Sequence, residues 1–272
     1  MLNWAKQFDT FCFLDNHQYQ IAPHSLECLL AVGEKRTIST IAGSALHELD
    51  QFTKERKSWL FGHLSYDLKN EIENLSSHHT DQVNFPELFF FEPEIVIRLS
   101  ADEISIESAD AESVFEEIKK TVNSSLPVHT ALQIKNRISK EQYVDYVCQL
   151  QKHIARGDCY EVNYCQEFFA EEAIIDPLHV YSKLSEASPN PFSSLYRVHD
   201  KWLICASPER FLKRSGSSVI SQPIKGTSRR AIDNEYTDEL NKQALYNSIK
   251  DRSENVMVVD LVRNDLAKVC RE

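Results

Sequence analysis

Strand-like and helical stretches follow one another in blocks along this chain, and that order limits its fold more than any other feature. A parallel sheet needs a helical crossover between successive strands, so a strand-helix-strand rhythm would run through the whole sequence. Residues 85–99, rich in Phe, Ile and Val, read instead as strands bent at Pro86 and Pro93. Residues 110–122 have helical spacing, with Val114, Ile118 and Val122 on one face. Ser139 with Gln142 three places on is a capping box, and the stripe Tyr143, Val147, Leu150 and Ile154 behind it ends at Gly157. Residues 159–169 alternate as a strand does, and Asp176-Pro177 opens another helix. Four short strands are predicted at 194–198, 202–206, 210–213 and 218–222. Residues 234–265 hold no Gly or Pro and predict one long helix. Such blocks predict an α+β fold rather than a doubly wound sheet.

Asn123-Ser124-Ser125-Leu126-Pro127 reads as a linker, which divides the chain into residues 1–125 and 135–272. With 42% hydrophobic and 26% charged residues over 272 positions, the chain can bury a large core and is not disordered. Its net charge of −11, from 41 acidic and 30 basic residues, excludes nucleic acid as the main partner. Small anions remain open, because Arg210, Lys213, Arg214, Lys225, Arg229 and Arg230 cluster locally. Seven scattered cysteines form no CxxC pair, so neither a zinc site nor a disulfide framework is indicated. Buried free thiols in a reducing compartment fit better. Residues 1–10 lack an apolar signal core and no run reaches membrane-spanning length, so the expected location is cytoplasmic, with no membrane partner.

Six glycines leave little room for a phosphate loop, and no GxSxG, HExxH or EF-hand pattern occurs. His78-His79 has no partner at metal spacing. Three constellations remain. In Pro223-Ile224-Lys225-Gly226-Thr227, a lysine sits beside a glycine that lets backbone approach a ligand and a threonine that offers a hydroxyl. In Ser207-Pro208-Glu209-Arg210-Phe211, a carboxylate lies at a strand edge, and antiparallel pairing would bring Glu209 and Lys225 to one end of a sheet. In Asp251-Arg252-Ser253-Glu254, Asp251 and Glu254 share a helix face and offer oxygen ligands of the kind Mg²⁺ takes. On residue chemistry alone, a solvated turn lysine, a bare salt bridge and a charged helix turn explain the same features.

Together, in this order, the three motifs closely resemble the chorismate-utilising enzymes, and most of all their aminodeoxychorismate-forming members. Val259-Asp260-Leu261-Val262-Arg263-Asn264-Asp265, Gly157-Asp158-Cys159-Tyr160-Glu161-Val162-Asn163 and Gly62-His63-Leu64-Ser65-Tyr66-Asp67-Leu68-Lys69-Asn70 extend the resemblance from about Gly62 to the last residue.

The resemblance implies two packed, mostly antiparallel sheets flanked by helices. Residues 1–125 would be the family's N-terminal region, and 135–272 the first part of its chorismate-binding catalytic domain. It implies amination of chorismate at C4 through a covalent adduct on Lys225, where anthranilate- and isochorismate-forming relatives usually carry Ala. Glu209 matches the general acid, Glu254 a Mg²⁺ ligand, and Gly226 and Thr227 line the substrate pocket. The implied partner is a glutamine amidotransferase subunit that supplies ammonia. Many members hold tryptophan in an N-terminal pocket. Asn16, in Phe13-Leu14-Asp15-Asn16, and Pro191-Phe192 fall there, yet both stretches depart from the usual motifs, which argues against tryptophan. Family members continue well past the Arg-Asn-Asp segment, so the 272-residue chain is expected to be inactive alone. Two alternatives stay open: an anthranilate or isochorismate synthase component, which Lys225 opposes, and a non-catalytic remnant that binds an amidotransferase or an effector.

Overall fold

The computed structural model describes residues 1–19, 26–77, 79–122 and 132–271. The expected linker, residues 123–127, therefore lies outside the described residues, and so does His78. The first half runs α1 (Leu2–Ala5), β1 (Thr10–Asp15), β2 (Cys28–Val32), β3 (Arg36–Thr40), α2 (Ala45–Glu55) and β4 (Phe61–Leu64). A 3₁₀ turn (Tyr66–Glu71), β5 (Leu88–Glu92), β6 (Ile95–Leu99), β7 (Ile104–Glu107) and α3 (Ala111–Lys120) follow. The second half runs β8 (Lys135–Asn136), α4 (Lys140–Arg156), β9 (Phe168–Phe169), α5 (Pro177–Ala187), β10 (Phe192–Val198) and β11 (Lys201–Ser207). It closes with β12 (Arg210–Ser215), β13 (Ser218–Gln222), α6 (Glu235–Asn247) and α7 (Ile249–Ala267). Contacts group Met1–Asn123 with Tyr181–Glu272 in one unit and Ser124–Val180 in another. No helix among the described residues is long and apolar enough to cross a membrane.

In the larger unit a six-stranded antiparallel sheet has the order β11-β10-β1-β2-β6-β7, and a three-stranded one the order β3-β5-β4. The six-stranded sheet thus takes strands from both sides of the expected linker. Phe61, Phe89 and Phe91 of the smaller sheet pack against Cys12, Ala31, Val96, Tyr196 and Val198 of the larger. Each fully buried aromatic or aliphatic side chain contributes roughly 1.5–3 kcal/mol to holding the two sheets face to face. The α+β arrangement of packed antiparallel sheets with flanking helices is the one the sequence implied.

The motif around Gly62 has a structural task here. His63 donates from Nε2 to the Pro86 carbonyl (2.8 Å), so its Nδ1 accepts from the Tyr196 hydroxyl (3.1 Å) and ties the two sheets together. Burial lowers the His63 pKa and keeps the ring neutral. Glu71 accepts from the backbone N–H groups of Gly43, Ala45 and Leu46 at 2.8–3.0 Å and so caps α2, which holds its carboxyl below its ordinary pKa. Glu92, 3% exposed, is satisfied by Arg36 (3.1 Å) and Arg56 (3.3 Å).

Local signals held where they were strong. Pro93 separates β5 from β6, and the helical spacing over residues 110–122 forms α3. Both halves of the Ser139–Gln142 capping box form, and α4 ends at Gly157. Three expectations need correction. Residues 159–167 are not a strand, because only Phe168–Phe169 finds a ladder, against Lys135–Asn136. Alternation without a hydrogen-bonded neighbour does not make a strand. Cys12 and Cys28 are buried, but Cys148 and Cys165 are exposed. The predicted long helix is two, because Ser248 adopts an extended conformation between α6 and α7.

Candidate active site

The β12–β13 hairpin carries the predicted acid and lysine. Arg210 pairs with Gln222, so Glu209 enters the ribbon at the end where Pro223-Ile224-Lys225 leaves it. One extra residue on β12 between Arg210 and Lys213 makes a bulge, which turns Phe211 (83% exposed) outward. The Ser207 hydroxyl accepts from the Glu209 N–H and donates to the Glu209 carbonyl, both at 3.2 Å. That pair of bonds fixes the Ser-Pro-Glu corner and leaves the Glu209 side chain exposed. Arg210, next along, points the other way: it is buried, and its guanidinium lies 5.1 Å from the Phe192 ring centroid. Its Nη1 is buried without a hydrogen-bond partner among the described residues.

Lys225 is half-buried and Thr227 exposed. Gly226 between them has φ +75°, a left-handed conformation that glycine takes at no steric cost. A Cβ added to Gly226 would lie 2.8 Å from Asp251 Cβ and 3.0 Å from its Oδ1. The Lys-Gly-Thr turn therefore rests on the first turn of α7. The break at Ser248 makes this meeting possible, for it starts a new helix where the turn arrives. The Ser248 hydroxyl accepts from the Asp251 N–H at 3.3 Å and caps that start. Glu254 lies one turn on from Asp251, a rise of roughly 4.5 Å on the same face. Its side chain is 33% exposed and pairs with Lys250 at 3.4 Å. Such a pair is worth only a few tenths of a kcal/mol, so the carboxylate can be recruited elsewhere at small cost.

Among the described residues no group of three or more His, Cys, Asp or Glu side chains converges as a metal site. Glu254 is nevertheless a hard oxygen donor, and Mg²⁺ is commonly held by one or two carboxylates with substrate and water completing its shell. The donor chemistry fits that mode.

Asn16, Pro191 and Phe192 come together in the wall of a cavity of about 340 Å³ between β1, β2 and β10. Asp15, Glu27, Cys28, Ser193, Ser194 and Lys213 complete its polar lining. The Asn16 amide is already engaged, donating to Leu26 O (2.7 Å) and accepting from Gln18 N (2.8 Å). A larger cleft of about 770 Å³, lined by Lys35, Arg56, Trp59 and Glu107 among others, holds none of the predicted site residues.

Sequence reading missed the break at Ser248, the stitching role of Ser207 and the contact between Asp251 and Gly226. The signal for the first was present in Ser248-x-x-Asp251, the cap-plus-acid pattern of a helix start.

Residues 5–272 match the family model for chorismate binding enzymes. Aminodeoxychorismate synthase component 1 of Klebsiella aerogenes is 32% identical over 216 residues, 77% of this chain and 46% of that protein. The anthranilate synthase component I-like protein of Synechocystis is 32% identical over 219 residues, 78% of this chain and 45% of that protein. The chain thus spans just under half the length of these relatives. The crystal structure of anthranilate synthase component I from Streptococcus pneumoniae superposes with a TM-score of 0.75 at 20% identity, over 92% of this chain and 63% of that one, and shares the fold.

Proposed function

Starting from a chain that belongs to the chorismate binding enzyme family, we propose that it forms the lysine-bearing part of an enzyme that aminates chorismate at C4, giving 4-amino-4-deoxychorismate. The observation that carries the reading is the Lys225 turn seated on the helix that bears Glu254, at the hairpin end where Glu209 stands. Neutral Lys225 forms a bond from Nζ to ring C2, the C1–C2 double bond shifts to C1–C6 and the C5–C6 double bond to C4–C5, and the C4–oxygen bond breaks. Glu209 gives its proton to the departing hydroxide, which leaves as water. Ammonia then bonds to C4, both ring double bonds return to their first positions, the C2–nitrogen bond breaks to release neutral Lys225, and the proton shed by the new amine returns to Glu209. Two easier displacements replace one difficult one. Glu254 would hold Mg²⁺, which supplies charge neutralisation for the substrate's ring carboxylate. Gly226 and Thr227 leave backbone and hydroxyl facing the substrate.

Ammonia would come from a glutamine amidotransferase partner, in keeping with the component 1 naming of relatives. Residues 1–125 would serve as the N-terminal region and 135–272 as the first part of the catalytic domain. The working compartment would be the cytoplasm. The product would feed para-aminobenzoate and folate synthesis. The likeness to an anthranilate synthase component I-like protein raises a second product, but a lysine at position 225 favours amination at C4.

The test is an adduct map. The chain, extended to the length of its relatives, is incubated with chorismate and Mg²⁺, digested, and its peptides weighed. Chorismate-derived mass on Lys225, absent from Lys225→Ala together with amination, is the expected result. Amination by Lys225→Ala at the parent rate would sink the covalent route.

A further inference from the structure

We propose that Asp251 is a positioning residue: its side chain is the floor on which the Lys-Gly-Thr turn rests, and it sets the direction in which Lys225 leaves the backbone. Gly226 is left-handed, at φ +75°, and the space a Cβ would need is already taken by Asp251 Cβ, Oδ1 and Cγ at 2.8, 3.0 and 3.1 Å. Contacts shorter than 3.0 Å are not accommodated without movement, and the nearest obstacle is the Cβ, which no rotamer of Asp251 can swing away. The turn and the helix are therefore fitted to each other as Gly on Asp.

Asp251 is itself held. It occupies the first turn of α7, its N–H donates to the Ser248 cap at 3.3 Å, and Ser248 is fixed as the extended link after α6. The cap, Asp251 and Gly226 form one chain of contacts that links the end of β13 to the start of α7. Glu254 stands one helical turn further along the same face, so the contact also sets the spacing between the lysine turn and that carboxylate. Residues brought together from positions 226 and 251 would otherwise be free to drift, since twenty-odd residues of chain and a separate helix lie between them. In catalytic terms the inference rests on the reading of Lys225 as the reacting amine, but the packing claim stands on the chain alone.

The test needs no substrate, so it can fail independently of the amination reading. Gly226→Ala, Asp251→Gly, the double variant and Asp251→Asn are made in the full chain. Modification of Lys225 by an amine-reactive reagent is followed by peptide mass, with Lys152 on α4 as the internal control. Gly226→Ala alone should change the Lys225 rate by more than about threefold and leave Lys152 unmoved, the size expected of directly touching residues. In the Asp251→Gly background the same substitution should change it by less than about twofold, because the obstructing Cβ is gone. Asp251→Asn keeps the shape and should behave as the parent, which separates packing from charge. If Gly226→Ala does not fold, recovery of a cooperative thermal transition in the double variant is the reading that supports the fit. Equal effects of Gly226→Ala in both backgrounds would overturn the proposal. So would no recovery of folding, or a shift in Asp251→Asn as large as that in Gly226→Ala.

Discussion

Gly62→Ala should be among the most damaging single-methyl additions in this protein, although no left-handed backbone is involved. Gly62 sits inside β4, opposite Phe90 of β5. An added Cβ would lie 1.9 Å from the Phe89 carbonyl oxygen, 2.7 Å from Phe90 Cα and 2.8 Å from Phe89 C, where ordinary contact begins at 3.4 Å. All three obstacles are backbone, so no side-chain rotation relieves the clash, and β4 must separate from β5. Overpacking alone costs about 1–3 kcal/mol. Loosening the ladder adds roughly 1 kcal/mol for each backbone hydrogen bond lost. Separation also pulls on Phe61, Phe89 and Phe91, whose packing joins the two sheets, and on the neighbouring His63 link to Tyr196. A total of about 3–5 kcal/mol follows, a fall in Tm of roughly 6–15 °C for a chain of this size. Far-ultraviolet circular dichroism during heating and during guanidinium titration measures it. Gly216→Ala is the matched control: nothing lies within 4 Å of its Cβ, and only the φ of +59° opposes it, at about 1 kcal/mol. A Gly62→Ala midpoint within about 2 °C of the parent, or a loss no greater than that of Gly216→Ala, would refute the reasoning.

Ser248→Ala removes the cap of α7 and should cost about 1 kcal/mol, with faster amide exchange at Asp251 and little change in α4. His63 has a folded pKa lowered by burial, so the unfolded chain binds its proton first as pH falls. That contribution to stability is intact above the unfolded value of about 6.5 and is lost below it, so unfolding midpoints compared across that pH should fall and His63→Gln should flatten the trend. Burial pushes the Cys12 and Cys28 thiols up to about 12, while Cys148 and Cys165 are exposed. A thiol reagent at mildly alkaline pH should therefore label Cys148 and Cys165 first, and Cys12 and Cys28 only on unfolding, as peptide mapping will report.

Features written in a few adjacent residues were legible in the sequence. The capping box at Ser139 and Gln142, the stop at Gly157, the helical spacing after residue 110 and the hairpin beside Glu209 and Lys225 all depend on neighbours within a handful of positions. The motif residues could be named for the same reason, since a lysine turn, a strand-edge carboxylate and a helix-face carboxylate are local patterns. Tertiary structure alone decided which distant pieces meet. Thr10–Asp15 pairs with Phe192–Val198, and hydrophobic alternation shows that a strand has a buried face without showing which strand lies beside it. The same limit turned residues 159–167 from a predicted strand into unpaired chain. It also hid the helix break at Ser248, whose propensity cost is small and is offset by its bond to the next helix. Sequence named Lys225 and Glu254 separately. Only the folded chain set Gly226 against Asp251 and so joined them, because that contact depends on space that no local pattern encodes.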